Sequence, residues 1–145
     1  MKRFVKAMCL VIAICLVTTM SVSATEVDAR ANSYISAHAT FLQKEASTQF
    51  KVWFDVTGTP TQIDMIGVKQ IVVYRSADQE TWTKMRTYSY TSYPQMMDYD
   101  TGSHSGYVTY SYATPGYYYR AYVTFYAENS SGAGTVFRYT APIKM

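Results

Sequence analysis

The sequence predicts an all-β protein, a two-sheet antiparallel sandwich of seven short strands that follows a cleaved signal peptide. Segments of alternating apolar and polar residues recur at spacings of roughly ten residues, as in sandwich domains. Clusters of Gly, Pro, Ser, Asn and Asp separate these segments, and the spacing typical of a capped helix does not occur after the leader. With 145 residues minus a leader of 24, the remaining 121 suit a polar arm at 25–32 and one domain over 33–145.

The amino-terminal segment predicts a secretory signal peptide over residues 1–24. Basic residues come first, residues 7–17 form an apolar run of 11, and small residues at 22–24 suit a signal peptidase. A membrane anchor is the competing interpretation, but a spanning helix needs about 20 apolar residues. We expect cleavage after Ala24, with the bond after Ala29 as the alternative, and therefore a secreted protein, extracellular or associated with the cell surface.

The predicted leader also removes Cys9 and Cys15, which excludes disulfides, a thiolate zinc site and a cysteine nucleophile from the mature chain. Of the 13 basic residues, 3 lie in the leader, which leaves 10 to balance the 10 acidic residues. A nucleic-acid or anionic-membrane partner requires a surplus of positive charge, so we expect neither. No second apolar segment is long enough to span a membrane.

The first two predicted strands cover residues 33–43 and 49–56. The apolar set of the first strand is Ile35, Ala37, Ala39 and Phe41. Its polar face includes His38. The apolar set of the second strand is Phe50, Val52, Phe54 and Val56. Trp53 therefore lies on the polar, outward face of the second strand.

Five more strands follow, and the third is apolar on both faces, as is typical of a central strand that is covered on both sides. These strands cover residues 68–75, 82–90, 107–112, 117–127 and 135–140. Residues 76–82 form a hairpin connection in which Ser76 and Asp78 are the turn formers. Trp82 has a structural role, packed against the third strand. Residues 93–105 are the least regular part and predict a long loop around a short edge strand.

The strand at 117–127 alternates most clearly, between the turn at Pro115 and Gly116 and the turn residues after Asn129. Its buried set is Tyr117, Tyr119, Ala121, Val123, Phe125 and Ala127. Its other face carries Tyr118, Arg120, Tyr122, Thr124 and Tyr126. The pattern predicts a half-buried strand.

From Pro115 onward the sequence resembles the sixth strand of a fibronectin type III domain, an immunoglobulin-like sandwich. In this family a Pro-Gly turn precedes a tyrosine, an alternating strand, an Ala-x-Asn ending and a Ser-Gly turn. Tyr119 matches the tyrosine, and Ala127 and Asn129 match the ending. The resemblance implies that Tyr119 is structural, its hydroxyl closing the preceding loop as in a tyrosine corner. The segment from Gly116 to Asn129 is about two residues longer than usual, which implies a bulge or a longer hairpin.

The layout of the mature chain also resembles small, single-domain secreted proteins of Gram-positive bacteria. The parallels are Ile66-Gly67, Val73-Tyr74-Arg-Ser76, Thr81-Trp82 and Gly116-Tyr-Tyr-Tyr119. This resemblance implies a fold and an extracellular location, and it names no chemistry.

Tyrosine is the residue type that stands out, since 12 of the 15 tyrosines fall between Tyr88 and Tyr126. Tyr118, Tyr122 and Tyr126 share one strand face with Arg120. Tyrosine suits the solvent side of a sheet as a strand former, and it is also enriched where proteins meet proteins or sugars. The second interpretation makes this row a candidate binding surface, which Trp53 joins from the second strand.

Motifs for metal binding and catalysis are incomplete. Ser76 and Asp78, followed by Thr81-Trp82, resemble the Asp-box turn of sialidase-like propellers, but a propeller needs one such turn in each blade. Asp98 and Asp100 are similar to the start of a calcium loop without its closing glutamate, so calcium and an acidic surface turn both remain open.

The only histidines, His38 and His104, have no supporting motif for zinc catalysis or a serine triad. Asn129-Ser-Ser131 fits an acceptor sequon and equally a turn. We therefore expect a non-enzymatic protein with no cofactor and no metal.

Together these patterns predict an exported binding or surface-structural module whose partner is an extracellular protein. The alternative is a carbohydrate-binding module in which Trp53 and the row of Tyr118, Tyr122 and Tyr126 stack on sugar rings of a cell-surface glycan.

Overall fold

Residues 33–59 and 62–145 are described by the computed structural model of the chain. The predicted signal peptide and arm lie outside these residues. The described residues form nine strands and one short 3-10 helix, Pro94–Met96. The strands are β1 (Ile35–Ala46), β2 (Gln49–Gly58), β3 (Met65–Ser76), β4 (Thr83–Ser89), β5 (Met97–Tyr99), β6 (Ser103–Tyr110), β7 (Tyr118–Asn129), β8 (Gly132–Tyr139) and β9 (Ile143–Lys144). Within this part of the chain, no helix has the length and apolar character needed to cross a membrane.

The strands form two antiparallel sheets, which confirms the predicted all-β class and makes a sandwich. The smaller sheet has the strand order β1-β2-β6. The larger sheet has the order β4-β3-β7-β8, and the short strands β5 and β9 pair with β3 and β7. Strands that are neighbours in a sheet are often distant in sequence, so the fold depends on long-range pairing.

The core lies between the inner faces of the two sheets. The smaller sheet contributes Phe50, Val52, Phe54, Val56, Val108 and Tyr110. The larger sheet contributes Ile71, Val73, Tyr88, Tyr119, Ala121, Val123, Phe125 and Ala127. On β2 and β7 these are the alternating residues that the sequence placed inside, because one face of a strand is buried and the other is not.

The predicted faces of the first strand are wrong beyond Ile35. A register shift lies between Ile35 and Ala37, and it turns the following residues over. Ala37 and Phe41 are therefore exposed, whereas His38 turns inward and its ring lies 5.0 Å from that of Phe125. An extra residue in one strand is enough to exchange the two faces, and the alternation of residue types does not reveal it.

Strand β6, which the sequence predicted to begin at Tyr107, begins at Ser103. Residues 103–106 pair with Thr57 through Phe54 of β2, so backbone pairing stabilises a segment whose Ser and Gly content is typical of a loop. Tyr112 lies outside the strand and is exposed.

The hairpin of β7 and β8 is long. Its pairing runs without interruption from Tyr122 and Tyr139 to Asn129 and Gly132. The irregularity in this part of the larger sheet lies in the neighbouring strand β3, between Val68 and Gln70.

Candidate functional site

Aromatic side chains collect on the outer faces of both sheets. On β2, Trp53 alternates with the buried Val52 and Phe54, so it points outward from the smaller sheet. On β7, Tyr122 alternates with buried residues of the core and points outward from the larger sheet. The two outer faces of a sandwich lie on opposite sides of the molecule. The prediction of one platform shared by Trp53 and the tyrosine row is therefore wrong, and the structure has two separate clusters.

The smaller-sheet cluster consists of Phe41, Trp53 and Tyr107, one ring from each strand. Phe41 is the register partner of Trp53, and Trp53 is the register partner of Tyr107. The rings of Phe41 and Trp53 are stacked with their centroids 6.2 Å apart, and those of Trp53 and Tyr107 are 4.7 Å apart. Phe41 is 55% exposed and Tyr107 is 43% exposed. Cross-strand pairing thus builds a continuous aromatic strip from residues far apart in sequence.

Polar side chains flank the smaller-sheet cluster. The indole Nε1 of Trp53 donates a hydrogen bond of 2.7 Å to Gln43 Oε1. Lys51 Nζ lies 4.6 Å from the centre of the Tyr107 ring and 3.4 Å from a carboxylate oxygen of Glu45. The positive charge beside the rings is therefore balanced by a neighbouring carboxylate.

The larger-sheet cluster surrounds Arg120. Its other members, contributed by β3, the 76–82 hairpin, β7 and β8, are Tyr74, Trp82, Tyr122, Phe137 and Tyr139. The guanidinium carbon of Arg120 lies 4.2 Å from the centre of the Trp82 ring and 4.3 Å from that of Tyr139. Tyr122 and Phe137 stack at 5.8 Å with only 7° between their planes. Phe137 is 54% exposed and Tyr139 is 47% exposed, so this face presents a broad aromatic surface to solvent.

Arg120 has few polar partners. Its Nε is buried and lacks a hydrogen-bond partner. Over residues 33–59 and 62–145, no carboxylate forms an ion pair with its guanidinium. The contacts that hold it are cation–π contacts with aromatic rings, which attract a cation without using its N–H donors.

The 76–82 hairpin fixes the position of Trp82. Oδ1 of Asp78 accepts hydrogen bonds from the backbone N–H groups of Glu80 and Thr81, both at 2.9 Å, and from the Ser76 hydroxyl. These bonds stabilise the carboxylate and lower the pKa of Asp78 to about 2. The indole of Trp82 donates back to the carbonyl of Gln79 at 3.0 Å. The turn that the sequence predicted is thus the support of an aromatic residue in the cluster.

The other two tyrosines of the predicted row lie outside the cluster. Tyr126 is 7% exposed, and Lys69 Nζ lies 3.4 Å from the centre of its ring. Its hydroxyl donates to Glu128, and burial together with this carboxylate raises the pKa of Tyr126 to about 12. The ring of Tyr118 lies 5.3 Å from Lys144 Nζ. Of the predicted row, Arg120 and Tyr122 are therefore the residues that the fold brings together with further aromatic rings.

Tyr119 lies on the inner face of β7 and is fully buried. Its hydroxyl accepts a hydrogen bond of 2.8 Å from the backbone N–H of Thr114, five residues upstream. The bond joins the start of β7 to the loop before it. Rings of Phe50 and Tyr110 surround it, at 5.3 and 5.8 Å.

The residues considered for calcium and catalysis form other contacts. Asp98 accepts from the N–H of Tyr99 and lies 3.6 Å from His104, whose Nε2 is 2.9 Å from the carbonyl oxygen of Gln95. Asp100 has a left-handed φ of 54°, as expected in a turn. In the described part of the chain, no three His, Cys, Asp or Glu side chains are placed to hold a metal ion.

Sequence reasoning did not assign Phe41, Tyr74, Tyr107, Phe137 or Tyr139 to a site. Each lies on a predicted strand, so alternation alone placed it on a face, but the register that joins it to its neighbours comes from strand pairing. Phe137 and Tyr139 are two residues apart on β8, and this alternation was the feature of the sequence that could have placed both rings on one face. A scan of family models and a search of curated proteins find no match to this chain.

Proposed function

We propose that the mature chain is a secreted, non-enzymatic module of fibronectin type III-like fold that binds an extracellular protein or builds surface structure. The strand orders of the two sheets and the hydrogen bond between Tyr119 and Thr114 support the fold assignment. The larger-sheet cluster is the proposed contact surface.

The observation that carries this proposal is the exposure of Tyr139, which meets Trp82 at Arg120, and of Phe137, which stacks on the neighbouring Tyr122. Trp, Tyr and Arg are the residue types that dominate binding energy in protein interfaces. Trp and Tyr bury large areas at a low cost in conformational entropy, and Arg presents several N–H donors on a planar group that also stacks on aromatic rings. A cluster of these types that remains open to solvent is better suited to a partner than to stabilising the sandwich alone.

A second candidate function is binding of a glycan at the smaller-sheet cluster. The in-register rings of Phe41, Trp53 and Tyr107 favour it, because aromatic rings provide flat apolar surfaces with polar groups such as Gln43 and Lys51 beside them. Stacking supplies contact with a sugar ring, and the polar groups supply hydrogen bonds to hydroxyls.

A matched pair of variants separates the two candidates. Phe137 and Phe41 have nearly equal exposure, 54% and 55%, and lie on opposite outer faces. We expect Phe137→Ala to reduce retention of the protein on immobilised extracellular-matrix proteins by about tenfold or more, as loss of a central aromatic contact does, while Phe41→Ala leaves it unchanged.

The same variants are tested on insoluble cellulose, chitin and peptidoglycan. If the protein is retained on one of these polysaccharides, and Phe41→Ala and Trp53→Ala lose this retention while Phe137→Ala keeps it, the glycan function is correct. If Phe137→Ala and Tyr139→Ala are still retained on the immobilised extracellular-matrix proteins, the proposed contact surface is wrong. Circular dichroism of each variant establishes that the fold is retained.

A further inference from the structure

We propose that Arg120 is the anchor for a carboxylate of the protein partner, so that the larger-sheet cluster recognises an acidic residue next to an apolar one. This inference rests on the proposed function and specifies the chemistry of the partner at the same surface.

The first argument is the unused hydrogen-bonding capacity of Arg120. A guanidinium has five N–H donors, and a carboxylate matches two of them in a forked arrangement. In Arg120 the Nε–H is covered and has no acceptor, and no ion pair forms with a carboxylate elsewhere in residues 33–59 and 62–145. Because Nε is covered, we place the incoming carboxylate at the terminal amino groups.

The second argument is that the guanidinium is held in place before a ligand arrives. Trp82 and Tyr139 lie 4.2 and 4.3 Å from its central carbon, and the hydrogen bonds of the 76–82 hairpin fix the tryptophan. An arginine that is already ordered loses less conformational entropy on binding than a free one. Cation–π contacts also leave the charge of the guanidinium uncompensated, so that it remains attractive to an anion.

The third argument is the sign of the charges around the cluster. Two further cations lie beside Arg120 and Tyr74: Lys84 is the register partner of Tyr74, and Lys144 lies 5.3 Å from the ring of Tyr118, two residues before Arg120 on β7. Against these three cations, the 76–82 hairpin contributes two carboxylates: Asp78, which accepts from the N–H groups of its own turn, and the exposed Glu80. The mature chain as a whole is neutral, so this local excess of positive charge favours an acidic partner and disfavours a basic one.

The fourth argument concerns the class of partner. Tyr122 and Phe137 cover part of each other's surface, since their ring centres are 5.8 Å apart with 7° between their planes. Phe137 and Tyr139 nevertheless expose about half of their surface, and Tyr139 lies beside the cation. Apolar side chains of a peptide pack against such ring edges, and a neighbouring Asp or Glu then meets Arg120.

The test uses a variant in which all tryptophan fluorescence comes from the larger-sheet cluster. The chain has two tryptophans, one in each cluster, so Trp53→Phe leaves Trp82 as the sole indole. The probes are the peptides acetyl-Glu-Glu-Phe-Glu-Glu-amide, its Gln analogue and its Lys analogue. Trp82 fluorescence and the NMR resonance of the Arg120 Nε–H follow the titrations. Polygalacturonate is titrated as a non-peptide source of carboxylates.

We expect the Glu peptide to bind about tenfold or more tightly than the Gln peptide, because a charge-assisted bond replaces a neutral one, and the preference to weaken with added salt. Arg120→Gln removes the preference, and Arg120→Lys keeps part of it because the charge remains without the fork. Arg138→Gln is the matched control. It removes the same charge from β8 at the register partner of the buried Val123, and it leaves the preference intact.

Equal binding of the Glu and Gln peptides, or a preference that survives Arg120→Gln, overturns the inference. In that event the proposed function still stands if retention on proteins is lost in Phe137→Ala, so the two failures are distinguishable. Binding of polygalacturonate without binding of the Glu peptide also overturns it, and assigns the cation to an acidic glycan. If Arg120→Gln fails to fold, Arg120→Lys is measured instead, and a preference for the Glu peptide as large as that of the parent then overturns the inference.

Discussion

Replacing Tyr119 by Phe tests how much the bond between the loop and β7 contributes to stability. The substitution removes one oxygen atom and keeps the buried ring, which contacts Phe50 and Tyr110. The lost interaction is the hydrogen bond of 2.8 Å that the hydroxyl accepts from the N–H of Thr114.

The expected loss of stability follows from the surroundings of the two partners. A donor that loses its acceptor and stays buried costs about 1–3 kcal/mol. Tyr119 is fully buried but Thr114 is exposed, so water partly replaces the acceptor and the lower part of this range applies. We expect a decrease of about 1–1.5 kcal/mol in the free energy of unfolding, or about a tenfold change in the folding equilibrium. The midpoint of thermal unfolding should fall by about 4–6 °C.

Urea denaturation followed by tyrosine and tryptophan fluorescence measures this difference, and the slope with urea should not change. Tyr118→Phe is the matched control, since the neighbouring tyrosine is partly exposed and its ring contacts Lys144. We expect the control to change the free energy of unfolding by less than about 0.5 kcal/mol. Equal stabilities of Tyr119→Phe and Tyr118→Phe would refute the reasoning that this bond holds the loop to the strand.

Two further predictions concern the fold. Gly67→Ala should destabilise the protein by about 3 kcal/mol or more, because φ at Gly67 is +155° and a Cβ there would lie 2.3 Å from the carbonyl oxygen of Met96. Thermal unfolding measures this loss, and Gly102→Ala is the control because its added Cβ meets nothing within 4 Å. His38 gives a pH dependence: burial, with Arg138 nearby, lowers the pKa of His38 below 6.5, so the folded state favours the neutral ring. The contribution of the neutral His38 ring to stability is complete above about pH 6.5 and decreases as the pH falls below that value. The parent protein should therefore lose more stability between pH 7 and 5 than His38→Gln does. Urea denaturation at the two pH values measures both losses, and equal losses would contradict the prediction.

The inner faces of β2 and β7 followed from the sequence because the relation between a residue and its face is local. Consecutive side chains of a strand alternate, so Phe50 and Val52 on β2, and Ala121 and Val123 on β7, are sorted without knowledge of their partners. The 76–82 turn was equally predictable, since Asp78 bonds to N–H groups only two and three residues away.

The face of β1 and the two clusters depended on pairing between distant residues. One irregularity after Ile35 turned Phe41 outward, where strand register set it beside Trp53. The composition of the strand contains no signal for that shift. For the same reason the sequence did not separate the row of tyrosines into exposed and covered members.

By itself, the sequence determined the class of the fold, the approximate positions of the strands and the residues on the inner faces of β2 and β7. Only the tertiary structure decided that Trp53 and Tyr122 lie on opposite sides of the sandwich, and that Trp82 and Tyr139 meet at Arg120. The physical reason is that alternation acts over two residues, whereas sheet order and register are fixed by pairing and packing among strands separated by tens of residues.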